Sequence, residues 1–138
     1  MSLNGIGFGS RTLDANDIVS LYVYQSGMAI NTFAPLQDDG SNYVVPAAKN
    51  LVIDFIICNT TSASNPENLE FGYADDATGT NYVKKIPERI LSEVENTSAM
   101  IRRYTTECLI RIPTGKYPVI KNTAGNLDVA CLFRGVCA

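Results

Sequence analysis

The stretch that decides the fold is Asp38-Asp39-Gly40-Ser41-Asn42-Tyr43-Val44-Val45-Pro46, which returns in outline as Asp75-Asp76-Ala77-Thr78-Gly79-Thr80-Asn81-Tyr82-Val83-Lys84-Lys85-Ile86-Pro87. In both stretches acidic residues and a glycine beside a hydroxyl residue precede Asn-Tyr-Val and a proline. This composition is typical of a tight turn that leads into a short strand. A chain that repeats turns and strands in this way is predicted to be all-β.

A second repeat supports the same organisation. Val45-Pro46-Ala47-Ala48-Lys49 is echoed by Ile112-Pro113-Thr114-Gly115-Lys116, and each segment precedes an apolar run. The two segments therefore mark two further entries into strands.

Alternation of apolar and polar residues locates two of these strands. In residues 18–24 one face carries Val19, Leu21 and Val23, and the other carries Ser20, Tyr22 and Tyr24. In residues 51–58 strict alternation points Leu51, Ile53, Phe55 and Ile57 inward, and Val52, Asp54, Ile56 and Cys58 the other way. Since both faces of the second segment are largely apolar, we expect it to be a central strand.

Further segments complete a sandwich. Short strands are predicted at residues 29–33 and 69–73, a long strand at 100–112, and a closing hairpin of 119–121 with 127–134 across 122–126. Residues 88–94 fit either a strand or a short helix. About eight strands favour a two-sheet antiparallel sandwich with jelly-roll topology. Residues 1–16 are interpreted as an extended N-terminal arm, and residues 17–138 as a single domain.

Composition excludes several kinds of chemistry. The 138 residues suit one domain, and the absence of histidine disfavours serine and cysteine nucleophiles and most zinc sites. We therefore expect no enzyme activity and no cofactor. The net charge of −3 gives no electrostatic footprint for nucleic acid. Because Asp54 interrupts the longest apolar run, no membrane insertion is expected, and the lack of a signal segment favours cytoplasmic synthesis without export.

The cysteines show no metal-binding spacing. Cys58, Cys108, Cys131 and Cys137 include no CxxC pair, and three of them lie in apolar segments. We expect buried, reduced thiols in preference to a structural disulfide or a four-cysteine zinc site.

Two segments carry a resemblance to a known group of proteins. Tyr43-Val44-Val45-Pro46-Ala47-Ala48-Lys49-Asn50-Leu51-Val52-Ile53 resembles the Y-x-V-P-A-G-K-x-L-x-I segment that recurs in jelly-roll domains of bacteriophage virion proteins, and residues 112–127 are similar to their closing hairpin. Ala48 departs from the glycine of that pattern, which bears on the backbone geometry of the turn. The resemblance implies a structural or receptor-facing virion component that assembles as a homo-oligomer.

The candidate ligand or interface residues lie in the two acidic stretches. Asp38, Asp39, Asp75 and Asp76 offer the oxygen ligands that calcium prefers, although turn formation explains the same residues more simply. Tyr43 and Tyr82, with the other tyrosines, suit a sugar-binding face or an interface, and packing at the edge of the core is the simpler explanation. No catalytic or metal site is predicted.

These observations favour a phage-type virion component that acts through homo-oligomeric assembly, a trimer being favoured, and through loop-mediated contacts. Its partners would be copies of itself, other virion proteins or a surface glycan. A carbohydrate-binding β-sandwich module is the alternative. A carboxylate-based glycosidase is the third hypothesis, with its carboxylate pair drawn from Glu88, Glu93, Glu95 and Asp128, although nothing in their spacing shows that any two converge. The mature location would be the virion.

Overall fold

The computed structural model describes residues 15–61, 68–86, 101–124 and 127–138. A single 3-10 turn, Ala15–Asp17, precedes the first strand. The described strands are β1 (Ile18–Met28), β2 (Phe33–Pro35), β3 (Gln37–Asp38), β4 (Ser41–Asn42), β5 (Leu51–Thr61), β6 (Asn68–Ala74), β7 (Val83–Ile86), β8 (Ile101–Ile112), β9 (Tyr117–Ala124) and β10 (Leu127–Cys137). The predicted arm, residues 1–16, lies outside the described residues except for Ala15 and Asn16.

Two antiparallel sheets pack as a sandwich, which confirms the predicted fold class. One sheet has the strand order β4-β3-β1-β10-β5-β8, and the other has β2-β9-β6-β7. The chain changes sheet at every connection between described strands except β3 to β4, β4 to β5 and β6 to β7, and β10 and β9 return to lie beside β1 and β2. This order is consistent with the predicted jelly roll. The described strands outnumber the predicted ones because the short pair β3–β4 extends the first sheet beyond β1.

The core forms between the inner faces of the two sheets. Phe71 on β6 contacts Phe133 on β10, with the ring centroids 4.9 Å apart. Leu21 and Val23 are buried on β1, as the alternation of residues 18–24 predicts, and Leu69 and Ile120 are buried on the facing sheet. The inward positions of each sheet therefore alternate along the strands.

The predicted alternation of β5 is wrong after its third residue. Leu51 and Ile53 are buried as expected, but Ile56 and Cys58 face the core in place of Phe55 and Ile57. The pairing of β5 with both neighbours shifts around Asp54, which marks a β-bulge. A bulge inserts one extra residue and so reverses the side-chain alternation beyond it.

The prediction that residues 119–121 pair with residues 127–134 in a closing hairpin is also wrong. β9 pairs with β2 and β6, whereas β10 pairs with β1 and β5, so the connection between β9 and β10 crosses from one sheet to the other. Strands predicted at 69–73 and 100–112 are confirmed as β6 and β8. β2 begins only at Phe33 because residues 29–32 form a turn. Residues 88–94 lie outside the described part of the chain.

The expectation of reduced thiols is wrong for two cysteines. Cys58 and Cys131 lie directly opposite each other on the adjacent strands β5 and β10, with a Cα separation of 4.1 Å, and form a disulfide. Both are buried on the inner face. Cys137 is a buried free cysteine, and the side chain of Cys108 lies outside the described set. Strand pairing over a sequence separation of 73 residues creates the contact, and local sequence does not reveal it.

In the described segments no helix is long and apolar enough to cross a membrane.

Candidate functional site

The first acidic stretch forms a tight hairpin between β3 and β4. Asp39 and Gly40 are its two central residues, with φ of 48° and 83°. Positive φ at both positions is the signature of a type I′ turn, for which Asp-Gly is a favoured pair. The Gly40 backbone N–H donates to the Tyr22 hydroxyl at 2.8 Å, which ties the hairpin to β1. Asp38 and Asp39 both point to solvent.

The second acidic stretch is a loop organised by its own carboxylates. Oδ1 of Asp76 accepts hydrogen bonds from the Thr78 N–H at 2.9 Å, the Thr78 hydroxyl at 2.8 Å and the Thr80 N–H at 3.1 Å. Asp75 accepts from the Asn81 amide at 2.7 Å and forms an ion pair with Lys116. The carboxylates thus serve as acceptors for the loop itself.

These hydrogen bonds favour the charged form of both carboxyl groups over the protonated form. They hold the pKa of Asp76 below its usual range, chiefly through the donors of Thr80 and Thr78. The pKa of Asp75 is lowered as well, first by Lys116 and then by Asn81. A lowered pKa here reports turn formation, since every donor responsible belongs to the protein.

The two acidic turns belong to different sheets, the first to the six-stranded sheet and the second to the four-stranded sheet. Across the ranges 15–61, 68–86, 101–124 and 127–138, no three His, Cys, Asp or Glu side chains are grouped so that they could hold a metal ion. Asp128, considered above as a glycosidase carboxylate, accepts from the Ser26 hydroxyl at 3.1 Å and the Gly27 N–H at 2.7 Å, and so supports the bulge in β1. The remaining glycosidase candidates, Glu88, Glu93 and Glu95, are outside the described residues.

Tyr82 helps to cover the outer face of the four-stranded sheet. Its ring lies against Gly72, where a Cβ atom would come within 2.8 Å of the ring, and packs edge-on against Phe33 at 5.0 Å. Gly79, with φ of 96°, also lies against the Phe33 ring. Burial raises the pKa of the Tyr82 phenol, and the nearby charge of Glu70 raises it further. The loop 75–82 therefore folds across this face.

The covered face has a small interior of its own. Val119, the register partner of Gly72, is buried although it lies outside the main core. Glu70, on the same face, is buried and forms an ion pair with Lys84 at 2.7 Å. The outer face of the four-stranded sheet is thus occupied by the chain itself.

Tyr43 is half-buried and packs against the main core. Burial raises the pKa of its phenol, and the neighbouring Cys137 thiol adds to that effect. Neither Tyr43 nor Tyr82 presents an open ring of the kind on which a sugar stacks.

The two proline segments form matching turns that lie side by side. Lys49 N–H donates to the Pro46 carbonyl and Lys116 N–H to the Pro113 carbonyl. The third residues of these turns, Ala48 and Gly115, have φ of 61° and 76°. Backbone hydrogen bonds of Val45 to Gly115 and Lys116 join the turns. Ala48 therefore adopts the left-handed conformation for which the resembling pattern has glycine.

The outer face of the six-stranded sheet, in contrast, is partly apolar and carries exposed side chains among the described residues. We define the outer sheet face as the outward positions of β1, β10 and β5 that lie in register. Tyr22, Leu132 and Ile57 form the central row, Arg134 and Phe55 form the row on one side of it, and Tyr24 and Ala130 form the row on the other side. Tyr24 is 81% exposed and Leu132 48% exposed. Arg134 stacks over the Phe55 ring at 5.3 Å and forms an ion pair with Asp54 at 3.1 Å.

The sequence suggests Tyr22 and Tyr24, with the other tyrosines, as interface residues, but it does not identify Leu132, Phe55 or Ile57. Leu132 was detectable, because it occupies an outward position of β10 between Ala130 and Arg134. Phe55 and Ile57 were hidden by the bulge. Comparison of the chain with protein-family models and with curated protein sequences finds no significant match.

Proposed function

We propose that the protein is a structural or recognition component of a phage-type virion, and that it works as a homo-oligomer with its loops displayed for contact. The observation that carries the proposal is the difference between the two outer faces of the sandwich. The chain covers the outer face of the four-stranded sheet with its own loop, and leaves Tyr24 and Leu132 exposed on the other sheet. Grouped exposed apolar residues are typical of interaction surfaces.

The loops support the recognition half of the proposal. The 75–82 loop is held by Asp76, by the ion pair of Asp75 with Lys116, and by the contact of Gly79 with Phe33. A loop fixed in this way loses little conformational freedom when it meets a partner, which favours binding. Other virion proteins or a surface glycan are the partners that we propose for the loops.

The assembly half is tested by the solution mass of the full chain at micromolar concentration. A homo-oligomer is expected, and the trimer favoured by the sequence would give about three times the 15.0 kDa of the chain. A chain that stays monomeric at all concentrations up to about 100 µM would refute this part of the proposal, because that concentration is well above the dissociation constants of stable complexes.

A glycan array tests the recognition half against the carbohydrate-binding alternative. A binder of defined glycans whose affinity is lost in Asp75→Ala would show that the loops recognise sugars. Asp39→Ala, at the other acidic turn, is the matched control because that carboxylate is also exposed.

A further inference from the structure

We infer that the outer sheet face, defined above by its three rows, is the contact between copies of this chain, and that it meets the same face of a second copy about a two-fold axis. This inference rests on the proposed homo-oligomer and names the surface and symmetry of its contact. It commits to one occupant, a second copy of the chain.

The composition of the centre is the first argument. Leu132 and Ile57 are opposed in register, and the neighbouring row adds Phe55 with Arg134 stacked on its ring. Aromatic rings and arginine are the residue types that most often dominate binding at the centre of protein interfaces. Tyr22 and Tyr24 extend the same surface along β1.

The charges of the face are the second argument. Arg134 at the centre is already paired with Asp54 of the same chain, with the two atoms 3.1 Å apart. A face whose positive and negative groups lie side by side can meet its own copy without bringing like charges together. Rotation about a two-fold axis also allows each arginine to approach the aspartate of the other copy. Two-fold dimers use one self-complementary patch in this way.

A two-fold contact joins subunits in pairs. The inference therefore predicts an even number of subunits: a dimer, or a pair of trimers if a separate three-fold contact also exists. A single trimer would satisfy the proposed homo-oligomer but would overturn this contact.

The test substitutes the centre of the face and a matched site elsewhere. Leu132→Lys is expected to raise the dissociation constant of the pair at least about thirtyfold, as loss of a central anchor does. Ile30→Lys is the control, because Ile30 is 49% exposed against 48% for Leu132 and lies in the turn before β2, away from the face. Sedimentation equilibrium gives the dissociation constant for the wild-type chain and for each full-length variant. Tyr24→Ser, at an 81% exposed position, provides a second variant should Leu132→Lys not fold.

A mixing experiment tests the symmetry. Leu132→Lys and Leu132→Glu should each dissociate alone and re-associate when mixed at equal concentration. Leu132 lies in the central row of the face, and a two-fold axis through that row places position 132 of one copy beside position 132 of the other, so the two introduced charges attract each other. Re-association supports the inference, and its absence overturns the two-fold arrangement.

The remaining outcomes separate this inference from the proposed function. A wild-type homo-oligomer that is unchanged by Leu132→Lys, or one with an odd number of subunits, overturns the sheet-face contact and leaves homo-oligomeric assembly standing. A wild-type monomer overturns both.

Discussion

Reduction of the Cys58–Cys131 disulfide should destabilise the protein more than any exposed single substitution. The two cysteines are 73 residues apart in sequence. In the chain-entropy model, cross-linking a loop of that length removes enough freedom from the unfolded chain to stabilise the fold by about 4 kcal/mol. Because the two cysteines already face each other across β5 and β10, reduced thiols fit the same strand pairing. We therefore expect the reduced protein to keep its fold with a lower free energy of unfolding.

The assay is urea unfolding of the wild-type chain in two forms. One form keeps the disulfide, and the other has been unfolded, reduced and refolded in the presence of a reductant. Unfolding before reduction is needed because Cys58 and Cys131 are buried in the folded state, where a reductant does not reach them. The variant in which Cys58→Ala and Cys131→Ala are combined is the control, and its unfolding midpoint should not respond to reductant. Equal midpoints for oxidised and reduced wild type would refute the reasoning.

Three further predictions concern the turns. Ala48→Gly should raise the free energy of unfolding by up to about 1 kcal/mol, because it relieves an alanine in the left-handed conformation at some cost in unfolded-state entropy. Ala47→Gly in the same turn and Gly115→Ala in the matching turn should each lower the free energy of unfolding, and urea unfolding measures all three variants. The lowered pKa of Asp76 stabilises the fold above about pH 4 and this contribution is lost as the pH falls, so thermal melts from pH 5 to pH 2 should decline less steeply for Asp76→Asn. Millimolar calcium should leave the melting temperature unchanged, because a ligand that bound the native state would raise it; a rise of several degrees, abolished when Asp75→Asn and Asp76→Asn are combined, would contradict this.

The fold class was predictable because its signals are local. Asp39-Gly40 specifies a type I′ hairpin by itself, and the alternation of residues 18–24 specifies a strand with one buried face. The proline repeat was also informative. Pro46 and Pro113 begin turns of the same kind, which lie together in the structure.

Features that depend on distant residues were not predictable. The loop between β9 and β10 has the composition of a hairpin, yet the two strands join different sheets, because the pairing of β10 with β1 and β5 outweighs the local turn signal. The disulfide follows from that same pairing. Of the candidate site residues, the sequence identified the turn-forming role of Asp75 and Asp76, but Lys116, which pairs with Asp75, lies 41 residues away from it.

The bulge at Asp54 connects the fold to the proposed contact. Without it, strict alternation along β5 would bury Phe55 and Ile57 and turn Ile56 and Cys58 outward. The extra residue reverses this arrangement, so that Cys58 meets Cys131 on the inner face while Phe55 reaches the outer face beside Arg134. The carboxylate of Asp54, in the irregular part of the strand, pairs with the same arginine. One local irregularity thus places both the disulfide inside the sandwich and the aromatic anchor outside it. Bulges often re-aim side chains at functional surfaces, and here the bulge supplies the centre of the face through which we propose that the subunits meet.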